Sequence, residues 1–146
     1  MEHAERTVWL IRHAKAADAE PGQKDFNRPL TRRGERQCAG MRDWLAKRMG
    51  NDLPVSVLVS PAARARRTAE LVLHEAMGEF QEEARIWNAT AATLAALVRE
   101  QPGNPGLEQV QCALTGQLMP LPTGGIFELE FGDQGRIRLA ARFEPD

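Results

Sequence analysis

Val8-Trp9-Leu10-Ile11-Arg12-His13-Ala14-Lys15 is a short apolar run that ends abruptly on two polar residues. An unbroken run of this length has the pattern of a strand buried in a parallel sheet. In open α/β sheets, ligands bind just beyond the carboxyl ends of strands. Arg12 and His13 therefore leave the core where a ligand would sit. A guanidinium holds oxyanions through paired hydrogen bonds, and a neighbouring imidazole serves as nucleophile or base.

Working outward, the first strand covers about 7–12. Residues 16–29 are polar, contain Pro21-Gly22, and read as a loop over the strand end. Thr31 has the chemistry of an N-cap. Cys38, Met41, Leu45 and Met49 then recur at helical spacing up to Gly50. A second strand is predicted over 54–60, followed by a helix with Ser60 as cap, Pro61 as first residue and Gly78 as stop. Ala65, Ala69, Val72 and Ala76 line that helix. Arg85 to Asn88 reads as a short strand, and Thr90 to Glu100 as a helix with Leu94, Leu97 and Val98 inward. After the turn 102–106, the spacing of Leu107, Val110 and Leu114 predicts another helix. The last part alternates: Phe127, Leu129 and Phe131, then Ile137, Leu139, Ala141 and Phe143. This predicts a terminal hairpin with one buried face. The expected fold is α/β, a mainly parallel sheet flanked by helices with a C-terminal β-hairpin.

The 146 residues suggest one domain, 1–146. The formal net charge of −1 gives no overall signal for nucleic acid or an anionic membrane. Charge is nonetheless clustered: Arg28, Arg32, Arg33 and Arg36, then Arg64, Arg66 and Arg67. Five of these seven are expected on solvated helix surface. The two cysteines, Cys38 and Cys112, are far apart and read as buried free thiols. No secretory signal and no membrane-length apolar stretch is visible, so a reducing cytoplasm is the expected setting, and the chain is expected to be a monomer.

A second strand-to-helix junction holds Ser60-Pro61-Ala62-Ala63-Arg64-Ala65-Arg66-Arg67-Thr68-Ala69. A cation in the first turn of a helix opposes the helix dipole by roughly 0.3–1 kcal/mol. Arg64 therefore needs another reason for its position, and anion binding supplies one. If the two strands are neighbours, Arg12, His13 and Arg64 converge.

Taken with Arg28-Pro29-Leu30-Thr31-Arg32-Arg33-Gly34, these segments resemble the histidine phosphatase superfamily, and most closely its SixA-type phosphohistidine phosphatases. The resemblance implies that His13 is the nucleophile taking the phosphoryl group. It implies that Arg12 and Arg64 are phosphate clamps, and it adds Arg28 and Asn104 to the phosphate-binding set. No metal and no cofactor are implied. The implied substrate is a phosphorylated signalling protein carrying phosphohistidine, or a small phosphomonoester.

The sequence departs from the family pattern at one place. Relatives run from a strand into Gly-His-Asn-Pro-Gly, whereas this chain reads Arg99-Glu100-Gln101-Pro102-Gly103-Asn104-Pro105-Gly106. The second histidine and the preceding strand are both absent. His3 and His74 match no catalytic position. The gap reads either as a true deletion or as a segment left out of the sequence. A true deletion predicts a narrower sheet, or one gapped beside the first strand, and an impaired, phosphate-binding module becomes the alternative to an enzyme. Glu82 and Glu83 lie where some relatives carry a general acid, and both read as surface carboxylates.

Overall fold

The structure, a computed structural model, describes residues 6–50, 56–73, 80–86, 90–100, 110–116, 121–131 and 137–145. Six strands form one sheet: β1 (Arg6–Arg12), β2 (Ser56–Val59), β3 (Gln81–Glu82), β4 (Val110–Gly116), β5 (Ile126–Phe131) and β6 (Ile137–Phe143). Their order is β3-β2-β4-β1-β5-β6. The helices are α1 (Arg32–Met49), α2 (Ala63–Leu73) and α3 (Ala91–Glu100).

The α/β architecture is as expected, but the sheet is mixed rather than mainly parallel. β1, β4, β2 and β3 pair in parallel, whereas β5 is antiparallel to β1 and β6 antiparallel to β5. The terminal hairpin adds directly to β1, so the strand carrying Arg12 has one parallel and one antiparallel neighbour. β1 is buried on both faces, which is why its apolar run does not alternate. Trp9 and Ile11 enter a core with Met41 and Leu45 of α1 and Ala65, Ala69 and Leu73 of α2. Val8 faces the other way, against Leu97 and Val98 of α3 and Leu58 of β2.

The largest correction concerns residues 107–114. Val110 to Gly116 is not a helix but the central strand β4, paired with β1 on one side and β2 on the other. No gap lies beside β1. Val110, Cys112 and Leu114 also recur with period two, so the segment satisfies either pattern. A hole between β1 and β2 would leave two rows of backbone groups unpaired, and that tips the balance. Residues 101–109, including Asn104, lie outside the described residues.

Smaller corrections follow the same logic. Ala84–Ile86 is a 3-10 turn, and the short strand lies just before it at Gln81–Glu82. α2 starts at Ala63 rather than Pro61, while the Ser60 hydroxyl accepts from the Ala62 N–H at 3.3 Å. In the hairpin, apolar alternation does not mark the buried face. Ile137 and Leu139 are 55% and 49% exposed, whereas Glu128 is only 6% exposed. β6 is an edge strand. Glu128 stands directly opposite Trp9, accepts from its indole Nε1 at 3.0 Å, and receives both arms of Arg48 at 2.8 and 2.9 Å. A carboxylate bonded this fully tolerates burial, and its pKa is lowered, the Arg48 bond being the main cause.

Candidate active site

β1 and β2 end on the same side of the sheet, and their following residues meet. Arg12 is the last residue of β1, His13 follows it, and Arg64 is the second residue of α2. Two packed contacts fix this junction. The Thr68 hydroxyl accepts from the Ala14 N–H at 3.0 Å and donates to the Arg64 carbonyl at 2.8 Å. Thr31 caps α1 as expected, accepting from the Gly34 N–H at 2.9 Å, and its hydroxyl also donates to the Lys15 carbonyl. The expected convergence of Arg12, His13 and Arg64 is therefore present.

The His13 ring has partners that define its tautomer. Nδ1 lies 2.8 Å from the Ala14 carbonyl, which only accepts, so Nδ1 carries the proton. Nε2 lies 3.2 Å from Arg64 Nε, which only donates, so Nε2 carries the lone pair. His13 is 4% exposed. Burial, with lesser help from the charges of Arg64, Arg12 and Arg28, lowers its pKa to about 4 against the pull of the Ala14 carbonyl. The imidazole is neutral at physiological pH, with Nε2 unprotonated and its lone pair accepting from Arg64.

Arg12 donates through Nη1 to the Leu121 carbonyl at 2.7 Å, while its Nε is buried without a hydrogen-bond partner. A buried orphan donor on a cation is costly unless a ligand meets it. Burial and then Arg64 push its pKa down. Arg12 and His13 line a cleft of about 160 Å³ with Lys15, Ala16, Asp18, Arg28 and Thr123. Arg28 does both things open to it: it faces the cleft, and it anchors the loop through the Ala17 carbonyl at 3.0 Å and Asp25 at 2.8 Å.

The other expectations divide. Arg32, Arg33, Arg36, Arg66 and Arg67 are exposed, as the surface reading held. Cys38 is a buried free thiol. Glu82 pairs with Arg66 and Glu83 with Arg85, and neither lines the cleft. Among the described residues no group of three or more His, Cys, Asp or Glu could hold a metal ion. No helix among them is long and apolar enough to cross a membrane. His3 and His74 lie outside the described residues.

Sequence reasoning missed Asp25. It lies in the 3-10 turn Asp25–Asn27, inside the loop over the strand ends. Its backbone carbonyl accepts from Arg64 Nη1 at 2.8 Å and its Oδ2 from Arg64 Nη2 at 3.1 Å. Its Oδ1 accepts from Arg28. Its pKa is lowered: burial works upward, but the charges of Arg64 and Arg28 and their hydrogen bonds outweigh it. The only signal in the sequence was its place three residues before Arg28. Also missed was the backbone of 121–125, which receives Arg12 and donates from Gly124 N–H to the His13 carbonyl at 2.9 Å.

Comparison with known proteins adds to this geometry. The sequence model of the histidine phosphatase superfamily (branch 1) matches residues 8–100. A protein from Picosynechococcus sp. is 28% identical over 142 residues, covering 86% of this chain and 85% of its own. A crystal structure from Agrobacterium tumefaciens, assigned as phosphohistidine phosphatase SixA, is 27% identical with a TM-score of 0.77. That match covers 96% of this chain and 99% of the other. A protein histidine phosphatase SixA solved with tungstate shares the fold at a TM-score of 0.73 and 23% identity, covering 95% and 97%.

Proposed function

This chain belongs to the histidine phosphatase superfamily, and from that premise we propose that it is a phosphatase that works through a phospho-His13 intermediate, with phosphohistidine of a protein as its substrate. The observation that carries this reading is the state of His13. A neutral imidazole lines the cleft beside Arg12 and Arg28, with its unprotonated Nε2 bonded to Arg64.

In the proposed reaction, the incoming phosphoryl group takes the Arg64 Nε–H from Nε2, whose lone pair then attacks phosphorus in line with the leaving nitrogen. The new N–P bond forms as the substrate's P–N bond breaks, and the departing imidazole takes its proton from water. The Ala14 carbonyl holds Nδ1–H and stabilises the positive ring as it forms. Arg12, Arg28 and Arg64 neutralise the transferring phosphoryl oxygens. Water then cleaves the N–P bond of phospho-His13 and releases phosphate. The labile P–N bond lessens the need for a general acid, which accords with Glu82 and Glu83 being held in surface ion pairs. The likeness to the Agrobacterium protein along nearly all of both chains supports phosphohistidine as substrate. Asn104 belongs to the proposed phosphate-binding set on its motif alone. Action in the cytoplasm, as a monomer and in signalling, is part of the same proposal.

A second reading rests on the sequence, which holds no histidine beyond His74. Lacking a donor from that side, the pocket would bind phosphate with negligible turnover. One experiment separates the two. Incubated with a phosphohistidine protein labelled at phosphorus, the wild type should form an acid-labile phosphoenzyme and release phosphate, and His13→Ala should do neither. Phosphate binding without any phosphoenzyme would favour the binding module.

A further inference from the structure

Arg64 already holds an anion that the protein itself supplies. The guanidinium is 1% exposed, and its two outer nitrogens donate to the carbonyl and the carboxylate of Asp25. The same two nitrogens are the ones an arginine would turn on a phosphoryl group, although here only Nη2 meets the carboxylate and Nη1 meets the backbone carbonyl. Asp25 itself is on the outside of the molecule, its side chain 56% exposed. The turn that carries it, Asp25–Asn27, contains no buried residue. Its hold on the protein is the ion pairs with Arg64 and Arg28 and the local backbone bonds of the loop. The backbone of the buried partner is held by Thr68, whereas the carboxylate of the exposed partner is held by its two arginines and its carbonyl by Arg64 Nη1 and the Arg28 N–H.

We propose that Asp25 is a built-in competitor for the phosphate fork of Arg64: substrate must displace it, and its return expels phosphate at the end of the cycle. The inference rests on the phosphate-binding reading of the site. Opening the Asp25–Arg64 contact costs the same whatever ligand follows, so every anion is weakened by one common factor. A phosphorylated protein, with further contacts around the cleft, bears that factor. Inorganic phosphate has no such contacts and leaves. Asp25 does not serve as an acid in this scheme, because its ionised form is the one the two arginines favour.

The test is calorimetric titration with two probes, inorganic phosphate and formate, on the wild type and Asp25→Asn. Asp25 is exposed, so the variant should fold, and circular dichroism checks this. The expected result is tighter binding of both probes by the same factor, on the order of tenfold, the usual worth of a hydrogen bond to a charged group. In an Arg64→Ala background the gain should vanish. Unchanged or weaker phosphate binding in Asp25→Asn would overturn the proposal and make Asp25 a support for Arg64. A gain that survives Arg64→Ala would reduce it to the loss of one negative charge, and would overturn the proposal equally. Phosphate binding by neither protein would instead bring down the phosphate site itself, and this inference with it.

Discussion

The carboxyl ends of β1 and β4 lie side by side, Arg12 opposite Gly116, yet they carry opposite loads. β1 delivers a guanidinium and an imidazole in consecutive positions, and α2 adds a second guanidinium from the end of β2. β4 ends in Thr115-Gly116, and no histidine follows anywhere in the chain. The sheet is continuous across both strands, so the scaffold is intact where the chemistry is one-sided. A backbone ladder accepts many sequences as long as its N–H and C=O groups are paired. A catalytic side chain has no such substitute. In the proposed reaction, transition-state charge is therefore assigned to arginines from the β1 and β2 side.

If that asymmetry is correct, Arg64→Ala should be the most damaging change after loss of His13. It removes a phosphate clamp and the donor on Nε2 together, and dephosphorylation should fall roughly 10²–10³-fold. Steady-state rates would show it, and Arg64→Lys should restore little, since an ammonium lacks the planar fork. A loss below tenfold would shift the burden elsewhere.

Gly34→Ala tests how rigidly the β1 side is held. A Cβ there collides with the Lys15 carbonyl, a backbone atom already bonded to Thr31. Destabilisation of about 1–3 kcal/mol is expected from overpacking, and thermal denaturation would measure it. An unchanged midpoint would mean that this contact gives way easily.

Acidity sharpens the comparison through the one imidazole. Burial lowers the His13 pKa to about 4, and the proposed attack needs its neutral form. The rate of phosphoenzyme formation should hold level from neutral pH down to about pH 5, then fall about tenfold per unit below 4. A midpoint near 6.5 would contradict the burial argument. Stability moves with the same sign. The unfolded chain takes up the proton first, so the fold loses stability as pH falls from about 6.5 towards 4.

The smallest effect belongs to β4. Thr115→Val, opposite Ile11 in the sheet, keeps the β-branched shape and should leave the rate within about threefold. A large loss would show that the β4 side contributes chemistry after all.

Much of the β1 side was legible in the sequence because its signals were local. A two-face-buried run gave β1, Thr31 gave the start of α1, and the dipole argument singled out Arg64. The convergence of Arg12, His13 and Arg64 then needed only that two strand ends face the same way. β4 was misread because its apolar residues satisfy two periods, and only the unpaired edges of β1 and β2 select one. Glu128, between Phe127 and Leu129, reads as solvent-facing because charge normally marks solvent. Nothing local announces Arg48 and Trp9, which reach it from 80 and 119 residues away. Asp25 stayed hidden because a single loop carboxylate has no pattern until its arginines arrive.

One feature of the scaffold bears on the order of synthesis. His13 leaves the ribosome long before the carbonyl that Arg12 holds, which belongs to Leu121, 109 residues after Arg12. The N–H on the His13 carbonyl comes from Gly124, and β1's antiparallel neighbour begins at Ile126. Contacts this distant in sequence form late, since a long loop must close before any of them is made. His13 is thus produced well before the backbone that positions it, so a partly made chain displays the imidazole without that support.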